Sequence, residues 1–268
     1  MKIIKKTVYQ LPNASQTNFV KQAEWSDEYG LIILKGRKPE LFVNDNPIPI
    51  KMNLIHPEIR WVNQKTIAIV DKGCKDGSDN AFLINIEGDI LHSFHCGMSI
   101  GAVEVSEKGI WVGYVNANKG GEDLSQEGIV FFNFKGKVLY RYHRNLLNEQ
   151  NFIEDCSSLC KGESNTLWIY YYKPFRLNHW DPNKLNIVRT YTPPEILHGA
   201  TELCVRDGYA YFGDTYDSLN LYAWKLGSSE EVISLGEPGG YLRGLGPNEE
   251  HHFIGISLGE VSLYRIKH

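Results

Sequence analysis

The sequence predicts an all-β protein in which one four-stranded antiparallel sheet recurs six times along the chain. Three observations support this prediction: a short apolar run occurs six times, successive runs begin 36 to 57 residues apart, and similar turn sequences flank them. Repeats of about 40–50 residues are typical of folds that repeat one small sheet. The six runs are Leu31–Leu34, Ile67–Val70, Ile110–Gly113, Leu167–Tyr170, Tyr209–Phe212 and His252–Gly255.

Turn residues indicate where the other strands of each repeat begin and end. Lys-Gly at 108–109 and Asp-Gly at 207–208 precede two of the runs, and such pairs favour tight hairpins because glycine accepts positive φ. A third strand follows the run, as in Ala81–Asn85. A charged-Gly-charged turn then leads into an outer strand with alternating apolar residues, as in Glu87–Phe94 and Lys135–Tyr142.

The sixth repeat contains only three predicted strands, the last of them at Val261–Arg265. The segment Lys2–Tyr9 has the composition of a strand and belongs to no other repeat. We therefore expect Lys2–Tyr9 to pair as the outermost strand of the last sheet, which removes sheet edges that would otherwise promote aggregation. The alternative is a frayed N-terminal arm.

Through these repeats the chain resembles the β-propeller superfamily over essentially its whole length. The resemblance implies a six-bladed propeller that occupies residues 1–268 as one domain, with five blades and an irregular segment as the alternative. The repeats lack a recurring Gly-His and Trp-Asp signature, since Trp-Asp occurs only at 180–181. No specific propeller family is indicated, and no family's functional residues are carried over.

Composition narrows the classes of partner. The net charge is −4, which argues against a broad nucleic-acid surface because such surfaces are basic. The longest apolar runs are strand-sized, so no membrane span is predicted. No apolar region of the kind found in signal peptides follows the basic N-terminal residues, so no secretory signal is expected. Five irregularly spaced cysteines fit reduced thiols in the cytoplasm. We expect a cytoplasmic monomer.

The predicted binding face is set by strand direction. In a propeller, the loops that join second to third strands lie on the same face as the links between blades, and that face commonly carries the site. The residues that follow the six runs form a polar ring of mixed charge, which suits a polar ligand, a metal or a protein, or else is a solvated rim. They are Lys35, Asp71, Tyr114, Tyr171 with Lys173, Asp214, and Ser257 with Glu260.

Charged residues also occur in the innermost strands. Arg60, Glu202 and Arg243 are expected to point towards the propeller axis. Buried charges need partners, so an internal ion-pair network is the favoured interpretation. The alternative is a small carboxylate or phosphate ligand held by Arg60 and Arg243.

Two further features suggest metal or acid–base chemistry. The loop 71–80 contains Asp71, Asp76 and Asp79, and oxygen-rich loops with glycine suit Ca²⁺. Two lysines oppose this charge and ordinary turns share the composition, so a structural loop is favoured and no cofactor is expected. His198 lies in a predicted link near Glu202 and is the best single acid–base candidate, although a lone loop histidine is usually just solvated.

The fourth repeat is rich in aromatic residues. Trp168 and Tyr170 are expected in the core. Tyr171, Tyr172 and Phe175 lie nearer the loop, with Lys173 beside them, and are the better candidates for contact with a ligand such as a sugar.

These features lead to three functional hypotheses. The favoured one is a protein-binding module that acts as a scaffold, regulator or inhibitor, with the polar insertion 116–128 at its binding face. The second is a hydrolase or lyase acting on a small polar ligand through Asp71, His198, Glu202 and Asp214. The third is a carbohydrate-binding module. Standard enzyme motifs are absent, but propeller enzymes assemble their residues from distant blades, so the sequence leaves the question of catalysis open.

Overall fold

The computed structural model describes residues 1–74, 77–117, 123–145, 152–229 and 231–268. Within these ranges the chain forms 24 strands, grouped into six four-stranded antiparallel sheets. The predicted fold class of six four-stranded blades is therefore confirmed, and the five-bladed alternative is wrong. No helix among the described residues combines the length and the apolar character needed to cross a membrane.

The blades follow one another along the chain. Blade 1 contains β2 (Val20–Ser26), β3 (Gly30–Lys35), β4 (Glu40–Val43) and β5 (Asn46–Ile48). Blade 2 contains β6 (Pro57–Asn63), β7 (Thr66–Asp71), β8 (Ala81–Asn85) and β9 (Ile90–Phe94). Blade 3 contains β10 (Ile100–Ser106), β11 (Gly109–Tyr114), β12 (Ile129–Asn133) and β13 (Val138–Arg141). Blade 4 contains β14 (Asp155–Lys161), β15 (Leu167–Tyr172), β16 (Arg176–Asp181) and β17 (Asn186–Tyr191).

Blades 5 and 6 complete the set. Blade 5 contains β18 (Glu202–Arg206), β19 (Tyr209–Gly213), β20 (Tyr222–Lys225) and β21 (Ile233–Ser234). Blade 6 contains β22 (Tyr241–Gly244), β23 (Phe253–Ile256), β24 (Glu260–Lys267) and the N-terminal strand β1 (Lys2–Gln10). Short 3₁₀ helices lie at Leu124–Glu127, His143–Asn145, Glu163–Asn165 and Glu195–Leu197.

The six apolar runs that predicted the fold are the second strands of the six blades, with the last run one residue out of step with β23. A second strand has a neighbour on each side in its own sheet, and its two faces pack against other apolar side chains. In β11, Ile110 and Trp111 point to opposite faces, yet both are buried. This double burial explains why the runs read as continuous apolar segments rather than as alternating ones.

The chain divides into two compact units. Residues Leu11–Asp155 hold blades 1 to 3, and residues Met1–Gln10 with Cys156–His268 hold blades 4 to 6. The first unit has apolar cores centred on β3 with β7 and on β7 with β11. The second unit has cores centred on β15 with β19 and on β19 with β23.

The N-terminal strand closes blade 6. β1 pairs antiparallel with β24 from Lys2 opposite Lys267 to Gln10 opposite Glu260, with one irregularity between Thr7 and Tyr9. The prediction that the N-terminal segment forms the outermost strand of the last blade is confirmed. The frayed-arm alternative is wrong, because β24 offers a full row of backbone partners.

Candidate functional site

The second unit contains a cavity of about 340 Å³ between blades 5 and 6. We call it the acidic pocket, because three carboxyl groups line it. Its lining comes from the start of β18, the turn after β19, the link from blade 5 to blade 6 and the start of β22, which all lie at one end of these strands. The lining residues are Glu202, Asp214, Leu219, Glu237, Gly239, Gly240 and Tyr241.

Glu202 is the most buried carboxyl group of the pocket, with 5% of its surface exposed. Its Oε1 accepts a hydrogen bond from the backbone N–H of Leu242 at 2.5 Å. Its Oε2 lies directly over Gly213, where a Cβ would come within 2.1 Å of that oxygen. Glycine at 213 therefore leaves the space that the carboxyl group occupies. Among the described residues, no hydrogen-bond donor contacts Oε2.

Burial and charge change the acidity of this group. The pKa of Glu202 is raised to about 8: burial is the largest cause, the Leu242 N–H lowers the pKa, and the nearby charge of Asp214 raises it. A carboxyl group with this pKa carries its proton at neutral pH. Glu202 is thus a buried carboxylic acid that titrates near physiological pH.

Asp214 is held in place by blade 5. It follows β19 with a φ of 51°, a conformation that aspartate tolerates better than most residues. Its Oδ2 accepts a hydrogen bond from Thr201 Oγ1 at 2.7 Å. Ser158 Oγ donates in turn to the Thr201 carbonyl at 2.6 Å. These bonds fix the Asp214 carboxylate at the end of the strand beside Glu202.

Four large exposed apolar side chains belong to the lining of the pocket or to turns next to lining residues, and we call this set the apolar rim. Leu219 and Tyr241 line the pocket itself. Gly240, in the link, allows close packing on the turn that carries Leu258, because a Cβ there would meet the Ile256 carbonyl at 2.4 Å and Ser257 Cβ at 3.3 Å. The rim residues and their exposed fractions are Tyr216 65%, Leu219 64%, Leu258 56% and Tyr241 44%.

The structure places His198 against an aromatic side chain rather than in the lining of the acidic pocket. Its ring stacks on Phe175 with centroids 4.0 Å apart, and Tyr216 meets the same Phe175 edge-on at 6.1 Å. The backbone carbonyl of His198 accepts a hydrogen bond from the Tyr216 N–H. His198 therefore supports the loop that carries Tyr216.

Tyr171, Tyr172 and Phe175, the candidate ligand contacts of blade 4, do not form an exposed row of rings. Tyr171 is fully buried, and its hydroxyl accepts a hydrogen bond from Asn178 Nδ2 at 3.2 Å. Tyr172 packs edge-on against Phe175, whose ring face is covered by His198. Tyr171 is buried because both faces of a second strand are covered, so alternation along β15 does not bring its side chain to the surface.

The other aromatic residues of blade 4 lie as expected. Trp168 and Tyr170 are buried, and Tyr170 donates a hydrogen bond to the Leu197 carbonyl at 2.9 Å. Lys173 Nζ lies 4.9 Å from the centroid of the Tyr172 ring, a cation–π contact at the end of β15. The described blade thus offers no open platform of stacked rings for a sugar.

Arg60 belongs to a buried ion-pair network in the first unit. Its Nη1 lies 3.0 Å from Glu58, which also binds Lys72 at 2.9 Å. Its Nε lies 3.9 Å from Glu24, and its Nη2 donates to the Val103 carbonyl at 3.0 Å. The favoured interpretation of Arg60 as part of an internal network therefore agrees with its contacts.

Arg243, in the second unit, is also buried, and its Nη1 donates to the Gly244 carbonyl at 3.1 Å. Since the two arginines belong to separate units, the ligand shared between Arg60 and Arg243 stays a prediction.

The Asp71 carboxylate is hydrogen-bonded to the backbone of nearby segments. Its two oxygens accept hydrogen bonds from the backbone N–H groups of Ile55 at 2.8 Å, His56 at 2.7 Å and Gly73 at 3.1 Å. The carboxylate thus ties the link before blade 2 to the end of β7, and its catalytic or metal-binding role stays a prediction.

The rest of the suggested metal loop is only partly described. Asp79 accepts a hydrogen bond from Ser93 Oγ at 2.5 Å, whereas Asp76 lies outside the described residues. Among the residues that the structure describes, no group of three His, Cys, Asp or Glu side chains is arranged to hold a metal ion.

The insertion 116–128 is described at its two ends only, since residues 118–122 lie outside the described ranges. At its C-terminal end, Glu127 is buried and binds Arg141 at 3.2 Å and Arg144 at 2.6 Å. This end of the insertion is therefore fastened to blade 3.

Sequence reasoning named Asp214 in the ring of the loop face and Glu202 among the residues that point towards the axis, but missed the residues that complete the pocket. Glu237, Gly239 and Gly240 come from an irregular link, where no periodicity reveals which side chains converge. A usable signal was the sequence Glu-Pro-Gly-Gly at 237–240, because consecutive glycines indicate close approach of backbone to a neighbouring segment.

Comparisons with known proteins bear on the fold. No family model matches the chain, and no curated protein matches it. Among solved structures, a catalytically inactive virginiamycin B lyase from Staphylococcus aureus with quinupristin is 10% identical, with 99% of this chain and 100% of that chain covered and a TM-score of 0.57. A streptogramin B lyase is 9% identical, with 100% and 99% covered and a TM-score of 0.58.

The β-propeller domain of Cps50 (Swd1) from Myceliophthora thermophila is 10% identical, with 97% of this chain and 100% of that domain covered and a TM-score of 0.57. At such low identity these likenesses concern the fold alone. They confirm the β-propeller resemblance at the level of architecture, without assigning the chain to any of these proteins.

Proposed function

We propose that this chain is a protein-binding propeller module that holds its partner on the surface formed by the acidic pocket and the apolar rim. The observation that carries the proposal is a group of four large exposed apolar side chains, two that line the acidic pocket and two in turns next to lining residues. Single exposed apolar residues are ordinary, whereas a group of them around a cavity is typical of an interaction site.

The position of this surface supports the proposal. The rim residues belong to loops, links and strand ends, held by the rigid strands of blades 5 and 6. Binding residues are often carried in this way, on short loops set by a stiff scaffold. Tyrosine is also enriched at protein interfaces, where its ring buries a large apolar area and its hydroxyl finds a polar partner.

The proposal also places the module in a reducing compartment. All five cysteines are free, and four of them are buried. Buried free thiols are typical of proteins that do not use disulfides for stability. We expect the module to work in the cytoplasm as a monomer.

A double substitution on the rim tests the proposal. Tyr216→Ser with Leu219→Ser removes the two most exposed rim side chains, and we expect the tagged variant to lose its specific partner in the native cell, as measured by quantitative mass spectrometry. Leu185→Ser with Val188→Ser is the matched control, since these residues are 48% and 54% exposed on blade 4.

Retention of the partner by the control variant and its loss by the rim variant support the proposal. If both variants recover the same proteins as the unchanged chain, this surface is not the binding site. Equal thermal unfolding of both variants shows that any loss comes from the surface rather than from misfolding.

A second candidate function is acid–base catalysis by a hydrolase or lyase, and the state of Glu202 favours it. A carboxyl group that keeps its proton at neutral pH, beside the Asp214 carboxylate, is a pattern used for paired acid and base roles. Two of the solved structures with the same fold are a virginiamycin B lyase with quinupristin and a streptogramin B lyase. Conversion of quinupristin by this chain, lost in Glu202→Gln, would support this candidate. Chromatography coupled to mass spectrometry measures it, because hydrolysis adds the mass of water whereas an elimination that opens a ring gives a product of unchanged mass and altered retention. Quinupristin recovered with both mass and retention unchanged would contradict the candidate for that substrate.

A further inference from the structure

We infer that the acidic pocket receives one arginine or lysine side chain from the partner, while apolar residues flanking that side chain in the partner segment pack on the rim. This inference rests on the proposed function and specifies the chemistry of the partner.

The first argument is charge. Three carboxyl groups, those of Glu202, Asp214 and Glu237, face one cavity, and no lysine, arginine or histidine is among the described residues that line it. Lys5, on β1, is paired with Glu260 at 2.6 Å and so is engaged elsewhere. Carboxyl groups brought together raise one another's pKa, and a cation placed between them removes the repulsion. The electrostatic complement of this pocket is therefore a positively charged side chain.

The second argument concerns Oε2 of Glu202, a hydrogen-bond acceptor to which no described residue donates. Glu202 is nine-tenths buried and has its Oε1 bound to the Leu242 N–H, whereas Oε2 receives no hydrogen bond from any described residue. Glu202 lines the cavity, and the absence of a Cβ at Gly213 leaves room for its Oε2 there. An acceptor that borders a cavity and receives no hydrogen bond from the described residues can receive one from a ligand that brings N–H groups. Guanidinium and ammonium groups carry donors and no acceptor.

The third argument is size and surroundings. A cavity of about 340 Å³ is at the lower end of the range for small-ligand sites, roughly 300–1,000 Å³, which suits one side chain rather than a folded element. Leu219 and Tyr241 stand at its edge and are largely exposed. These two residues leave apolar surface for the neighbours of the cationic residue. A free inorganic cation or polyamine would leave the rim uncovered.

Binding of the cation is expected to depend on pH. The groups that face Glu202 are Asp214 at the end of β19, Glu237 in the link, the Leu242 N–H on β22 and Tyr264 on β24. A bound cation favours the ionised form of Glu202, so binding releases a proton below about pH 8. The affinity is therefore expected to rise as the pH is raised from 6 towards 8.

A peptide series tests the inference by fluorescence anisotropy. The probe is a fluorescein-labelled heptapeptide with arginine at its centre, a leucine two positions away on each side, and serine or alanine elsewhere. We expect the arginine and lysine peptides to bind at least about tenfold more tightly than the same peptide with central glutamine. Replacement of both leucines by serine is expected to weaken binding of the arginine peptide.

Variants of the chain complete the design. Glu202→Gln and Asp214→Asn are each expected to abolish the preference for arginine over glutamine, while Val188→Ser leaves it unchanged. The inference is overturned if the arginine peptide shows no binding up to about 1 mM, if glutamine binds equally well, or if N-acetylarginine amide binds as tightly as the peptide. The proposed function fails separately, when the rim substitutions leave the cellular partner bound.

Discussion

Deletion of residues 1–10 is expected to lower the midpoint of thermal unfolding by roughly 10 °C, because it removes β1 from blade 6. β1 pairs with β24 along nearly its whole length, so its loss leaves one side of β24 without backbone partners. Exposed strand edges of this kind also promote association between molecules. The deletion variant is therefore expected to aggregate on heating at concentrations where the full chain unfolds without aggregation.

The control for this experiment keeps the strand and removes its surface charge pair. Lys5 and Glu260 form an ion pair at 2.6 Å across the β1–β24 ladder. Exposed ion pairs contribute at most about 1 kcal/mol, so Lys5→Ala with Glu260→Ala should change the midpoint by only a few degrees. A synthetic peptide of residues 1–10 added to the deletion variant is expected to restore part of the stability. An unchanged midpoint after deletion would show that β1 does not hold blade 6 together.

Glu202→Gln is expected to stabilise the folded chain at pH 9 relative to the unchanged chain, and to give no such gain at pH 5. The folded pKa of Glu202 is about 8, whereas a glutamate in the unfolded chain titrates near about 4.3. Between these values the folded state keeps a proton that the unfolded state has lost. The contribution of Glu202 to stability is therefore complete below about pH 4.3, falls as the pH rises and is lost above about pH 8.

Glutamine reproduces the shape of the protonated carboxyl group and does not titrate, so its side-chain oxygen can still accept the Leu242 N–H. The difference in unfolding free energy between variant and unchanged chain should grow by about 3 kcal/mol or more from pH 5 to pH 9. Thermal unfolding at both pH values measures it. Glu237→Gln is the control, because Glu237 lines the same pocket but is exposed. An equal difference at the two pH values would contradict the buried, protonated state of Glu202.

The fold was predictable because its signal is local. Each second strand contains an apolar run, and each hairpin contains its own turn residues. The repeat can therefore be recognised from the sequence without knowledge of the tertiary contacts. The position of β1 was predictable by counting, since Lys2–Tyr9 was a strand without a sheet and blade 6 was a sheet that lacked a strand.

The site was only partly predictable. Strand direction placed Asp214 in the ring on the loop face, whereas Glu202 was predicted to point towards the axis. The two residues lie at one end of blade 5 because the first strand begins where the second ends. The bonding of Asp71 to three backbone N–H groups and the burial of Tyr171 depend on contacts that no spacing rule provides. The ion pair of Arg60 was predictable as well. Side chains two residues apart on a strand point to the same face, so the spacing of Glu58 and Arg60 on β6 predicts that they pair.

The surface formed by the acidic pocket and the apolar rim is tested most directly by hydrogen–deuterium exchange on the chain with and without its purified partner. The account predicts that the partner slows exchange in the loop 214–221 and the link 237–241, which carry the pocket and most of the rim. Slowed exchange in the insertion 116–128 or along the outer strands, with 214–221 and 237–241 unchanged, would contradict it.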